Sequence, residues 1–175
     1  GMTTLDKDAH TNYFDLEQAK AFSSSLEGSN VGLGISFYLN EKNHFVVSNV
    51  YVNSTADKKG LKPNDEIVSL DDLECSKNDS DIIIKYIKAH EGKSIKIKYL
   101  REGKEYTTNL IPGVFDTTVI CNIYDGYGEI ILSSFSENSG KDFSKAMTRL
   151  QESGIKKLVL DLRNNGGGYL NAALE

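Results

Sequence analysis

The stretch Leu158-Val159-Leu160-Asp161-Leu162-Arg163-Asn164-Asn165-Gly166-Gly167-Gly168-Tyr169 constrains the fold of this chain more than any other. Its first part is an apolar run of strand length, and a strand apolar at successive positions wants cover on both faces, as strands flanked by helices have. A polar bend and three consecutive glycines follow, and then residues that can start a helix. Glycines let the backbone approach another group closely, and the first amides of a helix point at whatever occupies the turn. Strand, glycine turn and helix therefore predict an α/β layer with an anion-binding bend at its end.

The sequence just upstream supplies the rest of that layer. Residues 117–124 and 129–133 predict a strand pair turning around Asp125-Gly126. Ser139 with Asp142 three residues later resembles a capping box, Phe143, Met147 and Leu150 keep helical spacing, and Gly154 stops the run. Residues 157–162 then read as a central strand covered on each side. Strand, helix and parallel strand form part of a crossover unit.

Earlier in the chain the pattern is one of short strands. Residues 34–39 and 45–52 predict a hairpin through the polar stretch Asn40-Glu41-Lys42-Asn43. A short helical turn over 55–59 closes at Gly60, and a strand covers 66–70. Asp79 or Ser80 caps a helix whose buried face is Ile83, Ile84 and Ile87, with Gly92 near its end. Ile95, Ile97 and Tyr99 alternate with Lys96 and Lys98 as a half-buried strand, which Glu102-Gly103 turns into 106–111. Pro112-Gly113 is a natural boundary. Residues 1–28 read as a helical lead-in, with Asp15 as cap, Leu16, Ala19, Phe22 and Leu26 at helical spacing, and Gly28 as its end.

Composition narrows the function classes. In 175 residues, 39% hydrophobic and 26% charged content is ordinary for a soluble globular protein of one domain or two small ones. A net charge of −5 with dispersed lysines disfavours nucleic acid, and no apolar run approaches the roughly 20 residues of a membrane-spanning helix. Cys75 and Cys121 lack CxxC spacing and read as isolated thiols. His10, His44 and His90 lie far apart without partners at ligand spacing, so neither a metal site nor a cofactor is expected.

Five segments in order resemble the carboxyl-terminal processing (tail-specific) serine peptidases: 8–14, Gly32-Leu33-Gly34-Ile35, Gly60-Leu61-Lys62-Pro63-Asn64-Asp65-Glu66-Ile67, 128–135 and the glycine turn. The resemblance implies an α+β chain: a helical lead-in over 1–28, a PDZ-like β-barrel or sandwich with two helices and permuted strands over 29–113, and a partial α/β peptidase core over 114–175, truncated at its end. It implies a groove in which Leu33, Gly34, Ile35, Phe37, Ile83 and Ile87 bind the C-terminus of a protein or peptide, the carboxylate taken by loop amides and the tail added as a strand. It assigns an oxyanion-hole amide to Gly167, with Gly166 and Gly168 shaping the turn. Many relatives have proline where Gly166 stands. The serine nucleophile and lysine base would lie beyond Glu175, leaving this chain inactive alone, and the family points to an extracytoplasmic location.

Plainer readings stand beside these. The Gly32-to-Ile35 segment can be an ordinary glycine-rich entry to a strand. Asp161 and Arg163 read as charges pairing at a strand's end, and His10 as a structural histidine. Ser153-Gly154-Ile155-Lys156 has serine-lysine spacing but sits at a helix stop, without the motifs that accompany such a pair. As a whole, the chain can instead be a non-catalytic peptide-binding adaptor; a nucleotide-binding reading lacks both G-x-G-x-x-G spacing and a P-loop lysine. Leu170, Ala173 and Leu174 would form an apolar helix side in need of cover, from which self-association is expected.

Overall fold

The computed structural model describes residues 29–174. The lead-in helix expected over 1–28, with His10, and the final residue of the chain lie outside them. Strands β1 (Ser29–Gly32), β2 (Ile35–Leu39) and β3 (Phe45–Val50) precede a one-turn helix α1 (Thr55–Lys58). Strands β4 (Glu66–Leu70) and β5 (Leu73–Glu74), helix α2 (Ser80–Ala89) and strands β6 (Ile95–Arg101) and β7 (Lys104–Leu110) complete the first part. Strands β8 (Gly113–Asp116), β9 (Val119–Tyr124) and β10 (Tyr127–Leu132), helix α3 (Ser139–Glu152), strand β11 (Leu158–Asp161) and helix α4 (Leu170–Leu174) follow.

The first sheet runs β2-β3-β4-β6-β7, with β5 on β4. It is open, ending at β2 and β7, so the barrel form expected from the sequence is not closed. The mixed α+β class is as expected. Asn40 makes the β2–β3 turn: its Oδ1 accepts from the Lys42 and His44 amides, each at 2.9 Å, so the side chain stands in for a backbone carbonyl. Alternation along β6 buries Ile95, Ile97 and Tyr99 while Lys96 faces water. Ile83 of α2 closes the core over Phe45, Val47, Leu70 and Leu110, and Ile87 packs at its edge; Ile84, expected on the buried face, is exposed.

The second sheet runs β11-β10-β9, antiparallel between β9 and β10 and parallel between β10 and β11. Helix α3 lays Ala146 and Leu150 over Val119, Ile130 and Leu132. The capping box does not form. The N-cap is Asn138, Ser139 is already helical with its hydroxyl donating to Ser136 O at 2.9 Å, and Asp142 is buried beside Lys145. That burial pushes the Asp142 carboxyl above its ordinary range against the pull of Lys145.

Strand β11 departs further from expectation. It is the edge of its sheet, and Leu158, Val159 and Leu160 are each more than 40% exposed, because the described residues cover neither of its faces.

β1 and β8 form a third, two-stranded sheet, and further ties run between the first two. β1 pairs antiparallel with β8, Tyr51 bridges Ile120 with Val52 N donating to Val119 O at 3.1 Å, and Arg149 of α3 reaches Asp57 of α1 at 2.7 Å. Within the first part, the carboxylate of Asp65 is fully buried and takes Arg101 Nε and Nη2 and the Lys62 amide, each at 2.7 Å. Replacing Arg101 with leucine strands that carboxylate, and a loss of about 3 kcal/mol is expected, the low end for an uncompensated buried charge since Arg101 is partly solvated. Urea unfolding of Arg101→Leu against the parent chain measures it.

Candidate functional site

The turn between β1 and β2 has an unusual set of ties. Leu33 O accepts from Ala56 N at 3.0 Å, and Gly34 O accepts from Tyr51 N at 3.0 Å and from Ser54 Oγ at 3.2 Å. Ser54 also caps α1, its Oγ taking the Asp57 amide at 3.1 Å. A trans peptide unit points its N–H opposite its C=O. With both carbonyls tied to α1 and to the end of β3, the Gly34 and Ile35 amides face the other way, toward α2.

Only glycine fits at position 34. Its φ is +79°, and a Cβ there would lie 2.0 Å from Ser54 Cβ.

These amides open onto an apolar cavity of about 270 Å³ between β2 and α2. Each groove residue named from the sequence is on its wall: Leu33, Ile35, Phe37, Ile83 and Ile87, with Gly34 in the loop between Leu33 and Ile35. Phe37 and Phe45 meet edge to face at 4.8 Å. Buried Cys75 lies on the floor, where desolvation pushes its thiol up to about 12; it and Cys121 are free thiols. Among the described residues β2 is a sheet edge, and its outer backbone groups face the side where a further strand would add.

The sequence reading missed Tyr51, Phe115 and Lys88, which also line the cavity. Tyr51 follows β3 and Phe115 lies on β8, which the β1–β8 pairing brings back beside the loop. Lys88, at the end of α2, is the one charged residue on the wall among the described residues.

The glycine turn is built differently. Asn165 Nδ2 donates to Leu132 O at 2.9 Å, and its Oδ1 accepts from the Gly167 amide at 2.8 Å. The amide singled out as an oxyanion donor is thus engaged within its own turn. Phe135 N donates to Gly167 O at 2.9 Å and Tyr169 N to Phe135 O at 2.8 Å, a parallel bridge using the groups either side of Gly168. Gly168, at φ +145°, must lack a Cβ, which would lie 2.2 Å from Phe135 O. In such a bridge the Gly168 amide points away from Phe135.

Ser136, next to Phe135, is buried and donates to Asp116 at 2.6 Å; Asp116 also holds the amide and hydroxyl of Thr118. Asp161 does not face the turn. It takes the Arg163 guanidinium at 2.6 Å and the Arg163 amide at 2.9 Å, which hold its carboxyl down at about 2, in line with the structural reading of this pair. Ser153 is the exposed C-cap of α3 and Lys156 is exposed beyond it.

Comparison with known proteins agrees with both halves. Residues 31–111 match the PDZ domain family and residues 126–175 match peptidase family S41. The carboxy-terminal processing protease CtpB of Bacillus subtilis (strain 168) is 32% identical over 183 residues, an alignment spanning 100% of this chain and 38% of CtpB. CtpA of the same organism is 29% identical over 179 residues, spanning 99% of this chain and 38% of CtpA. A probable CtpA-like serine protease of Staphylococcus haemolyticus (strain JCSC1435) is 26% identical over 176 residues, spanning 100% and 35%. The chain thus spans less than two-fifths of the length of these relatives. Among solved structures, the photosystem II D1 C-terminal processing protease shares the fold with a TM-score of 0.50 at 21% identity, covering 95% of this chain and 48% of that one.

The loop geometry makes a direct test of position 34. Gly34→Ala is expected to cost more than about 2 kcal/mol, since a left-handed backbone alone costs about 1–2 and the overlap with Ser54 adds to it. Gly60→Ala, at φ +76° with open space around it, should lose only the backbone part. Thermal unfolding of the two variants side by side measures the difference.

Proposed function

We propose that this chain, which belongs to the carboxyl-terminal processing family of serine peptidases, binds the C-terminal tails of polypeptides between β2 and α2 and contributes part of the catalytic apparatus that cleaves them. The observation carrying this reading is the pair of Gly34 and Ile35 amides turned outward above an apolar cavity, beside a strand that is the sheet's edge among the described residues. A tail's carboxylate accepts from those amides, its backbone extends the sheet along β2, and its last side chain fills the cavity. Lys88 adds attraction for the carboxylate at the rim.

The glycine turn serves the hydrolytic step. Acyl transfer passes through a tetrahedral oxyanion, and one fixed amide donor aimed at it is worth roughly 3–4 kcal/mol. Gly167 supplies that donor once the Asn165 side chain swings off its amide, with Gly166 and Gly168 giving the turn its shape. The serine nucleophile, and the lysine base whose pKa burial lowers, come from sequence following the turn. Residues 29–113 form the tail-binding unit and 114–175 the first part of the catalytic one. The chain alone cleaves nothing, and the protein works outside the cytoplasm.

A second reading, a peptide-binding adaptor without catalysis, is favoured by one observation: the Gly167 amide is already satisfied by Asn165. A reading frame that continues past the turn into a glycine-flanked serine and a later lysine decides for the peptidase.

The exposed apolar residues of β11 and α4 support self-association through the C-terminal part. Light scattering is expected to find species larger than one chain, and a strict monomer across concentrations removes this element. Calorimetric titration with peptides ending in a free apolar residue is expected to give affinities about 10-fold or more above those of their amidated forms, the worth of charge-assisted hydrogen bonds. Mass spectrometry of the recovered peptide should find it intact. Equal affinity for acid and amide would sink the groove reading.

A further inference from the structure

We propose that Asp116 and Ser136 are positioning residues for the glycine turn: by holding the Ser136 hydroxyl, the Asp116 carboxylate fixes the Phe135 backbone from which Gly167 and Gly168 hang, and so sets the direction of the turn's amides. The inference rests on the oxyanion reading of that turn and deepens it.

Phe135 anchors the turn. Its N–H donates to Gly167 O at 2.9 Å, its carbonyl accepts from Tyr169 N at 2.8 Å, and its backbone stands where a side chain on Gly168 would have to be. Yet Phe135 belongs to neither neighbouring element, since β10 ends at Leu132 and α3 begins at Ser139. A connecting segment is free to shift unless other bonds hold it. Ser136 supplies them. Fully buried, it donates from Oγ to Asp116 Oδ2 at 2.6 Å, the length of a charge-assisted bond, and its carbonyl accepts from Ser139 Oγ at 2.9 Å and Ser139 N at 3.2 Å. The residue after Phe135 is thus tied on one side to β8 and on the other to α3.

The convergence of donors calls for a carboxylate at position 116. Asp116 Oδ1 takes the Thr118 amide at 2.8 Å and the Thr118 hydroxyl, while Oδ2 takes Ser136. An ionised carboxylate accepts at both oxygens, whereas an amide side chain accepts at one and would present N–H groups to a donor at the other. The Thr118 and Ser136 hydroxyl oxygens stand 3.2 Å apart, side by side on the same carboxylate. Thr118 O in turn accepts from Ser133 N at 3.0 Å, so residues 116–118 hold the segment 133–136 at both ends. Asp116 is itself placed by its pairing with Ser29 at the end of the β1–β8 ladder. From carboxylate to turn the route is one hydrogen bond, one peptide unit and the two backbone bonds of Phe135. A displacement of about 1 Å at a reacting centre can cost on the order of 100-fold in rate, so an anchor this close to Gly168 bears on hydrolysis.

Amide hydrogen exchange on the 175-residue chain tests it, with the Phe135 and Tyr169 amides reporting on the turn and the Ala146 and Leu150 amides of α3 on the layer as a whole. Ser136→Ala is expected to speed exchange at the turn by about 10-fold or more relative to α3, the size of one hydrogen bond to a charged group, and Asp116→Asn should act in the same direction. Thr118→Val removes a hydroxyl from the same carboxylate but off the route to Phe135, and should leave the turn-to-helix ratio within about twofold of the parent's. In the full-length enzyme, Ser136→Ala should lower kcat by about 10-fold or more while KM for a tail peptide stays within about twofold. Circular dichroism checks each variant for retained fold; if Asp116→Asn does not fold, Ser136→Ala decides alone. Exchange that rises equally at turn and helix in Ser136→Ala, or a ratio in Thr118→Val as large as in Ser136→Ala, overturns the positioning role and leaves the oxyanion reading standing. A loosened turn with kcat unchanged brings down the oxyanion reading and the inference together.

Discussion

Peptide planarity, applied at two adjacent bonds, governs the binding half of this chain. The carbonyls of Leu33 and Gly34 are both engaged by α1 and the residues leading into it, and a planar unit with its oxygen committed to one side commits its N–H to the other. Helix α1 is only one turn long; it sets Ala56 in the core and, through the Ala56 amide, anchors Leu33 O. Ser54 does two jobs, capping α1 with one contact and holding Gly34 O with another, and its closeness is what excludes a side chain at position 34. The use of the cavity, of the β2 edge and of the rim lysine as one binding groove depends on those amides keeping their direction.

The same elements reach into the second sheet. Asp57 of α1 pairs with Arg149 of α3, and Tyr51, which donates to Gly34 O, bridges to Ile120 of β9. On the far side of that sheet the glycine turn is held by a comparable economy of parts: Phe135 bonds both flanks of Gly168, and the side-chain amide of Asn165 spans from Leu132 O to Gly167 N. The two backbone sites differ in one respect that bears on chemistry. Near position 34 the oxygens are tied down and the adjoining amides turn outward; at Gly167 both the oxygen and the nitrogen are engaged.

Much of the first sheet was legible in the sequence, for physical reasons. Alternation in Ile95, Ile97 and Tyr99 survives into the fold because β6 is central, with one face on the core and the other in water. Leu33, Ile35, Phe37, Ile83 and Ile87 were nameable because strand and helix spacing put them on common faces of elements next to a recognisable loop. Phe115 was not: it reaches the cavity through the β1–β8 pairing, which no local pattern encodes, while Tyr51, just past β3, is placed there by the hydrogen bond of its amide to Gly34 O. Periodicity also cannot tell a central strand from an edge one, so apolar β11 was expected in the middle of its sheet. The direction of the Gly167 amide was hidden because it depends on a side-chain rotamer of Asn165, not on glycine content. The capping box failed because Asn138 extends the helix backward by one residue, making Ser139 its first turn.

The uncovered edge of β11 has a practical consequence. Among the described residues nothing pairs with its outer backbone groups, and Leu158, Val159 and Leu160 are aliphatic and β-prone, the combination that templates intermolecular cross-β stacking. Lys156 and Lys157 immediately before it, and Asp161 and Arg163 at and just after its end, place charges at both ends of the hazardous stretch, in the positions where gatekeeper residues discourage such stacking. The Arg163 guanidinium that neutralises Asp161 therefore weakens the negative half of that guard, leaving the paired lysines as the main deterrent to fibre growth from this edge.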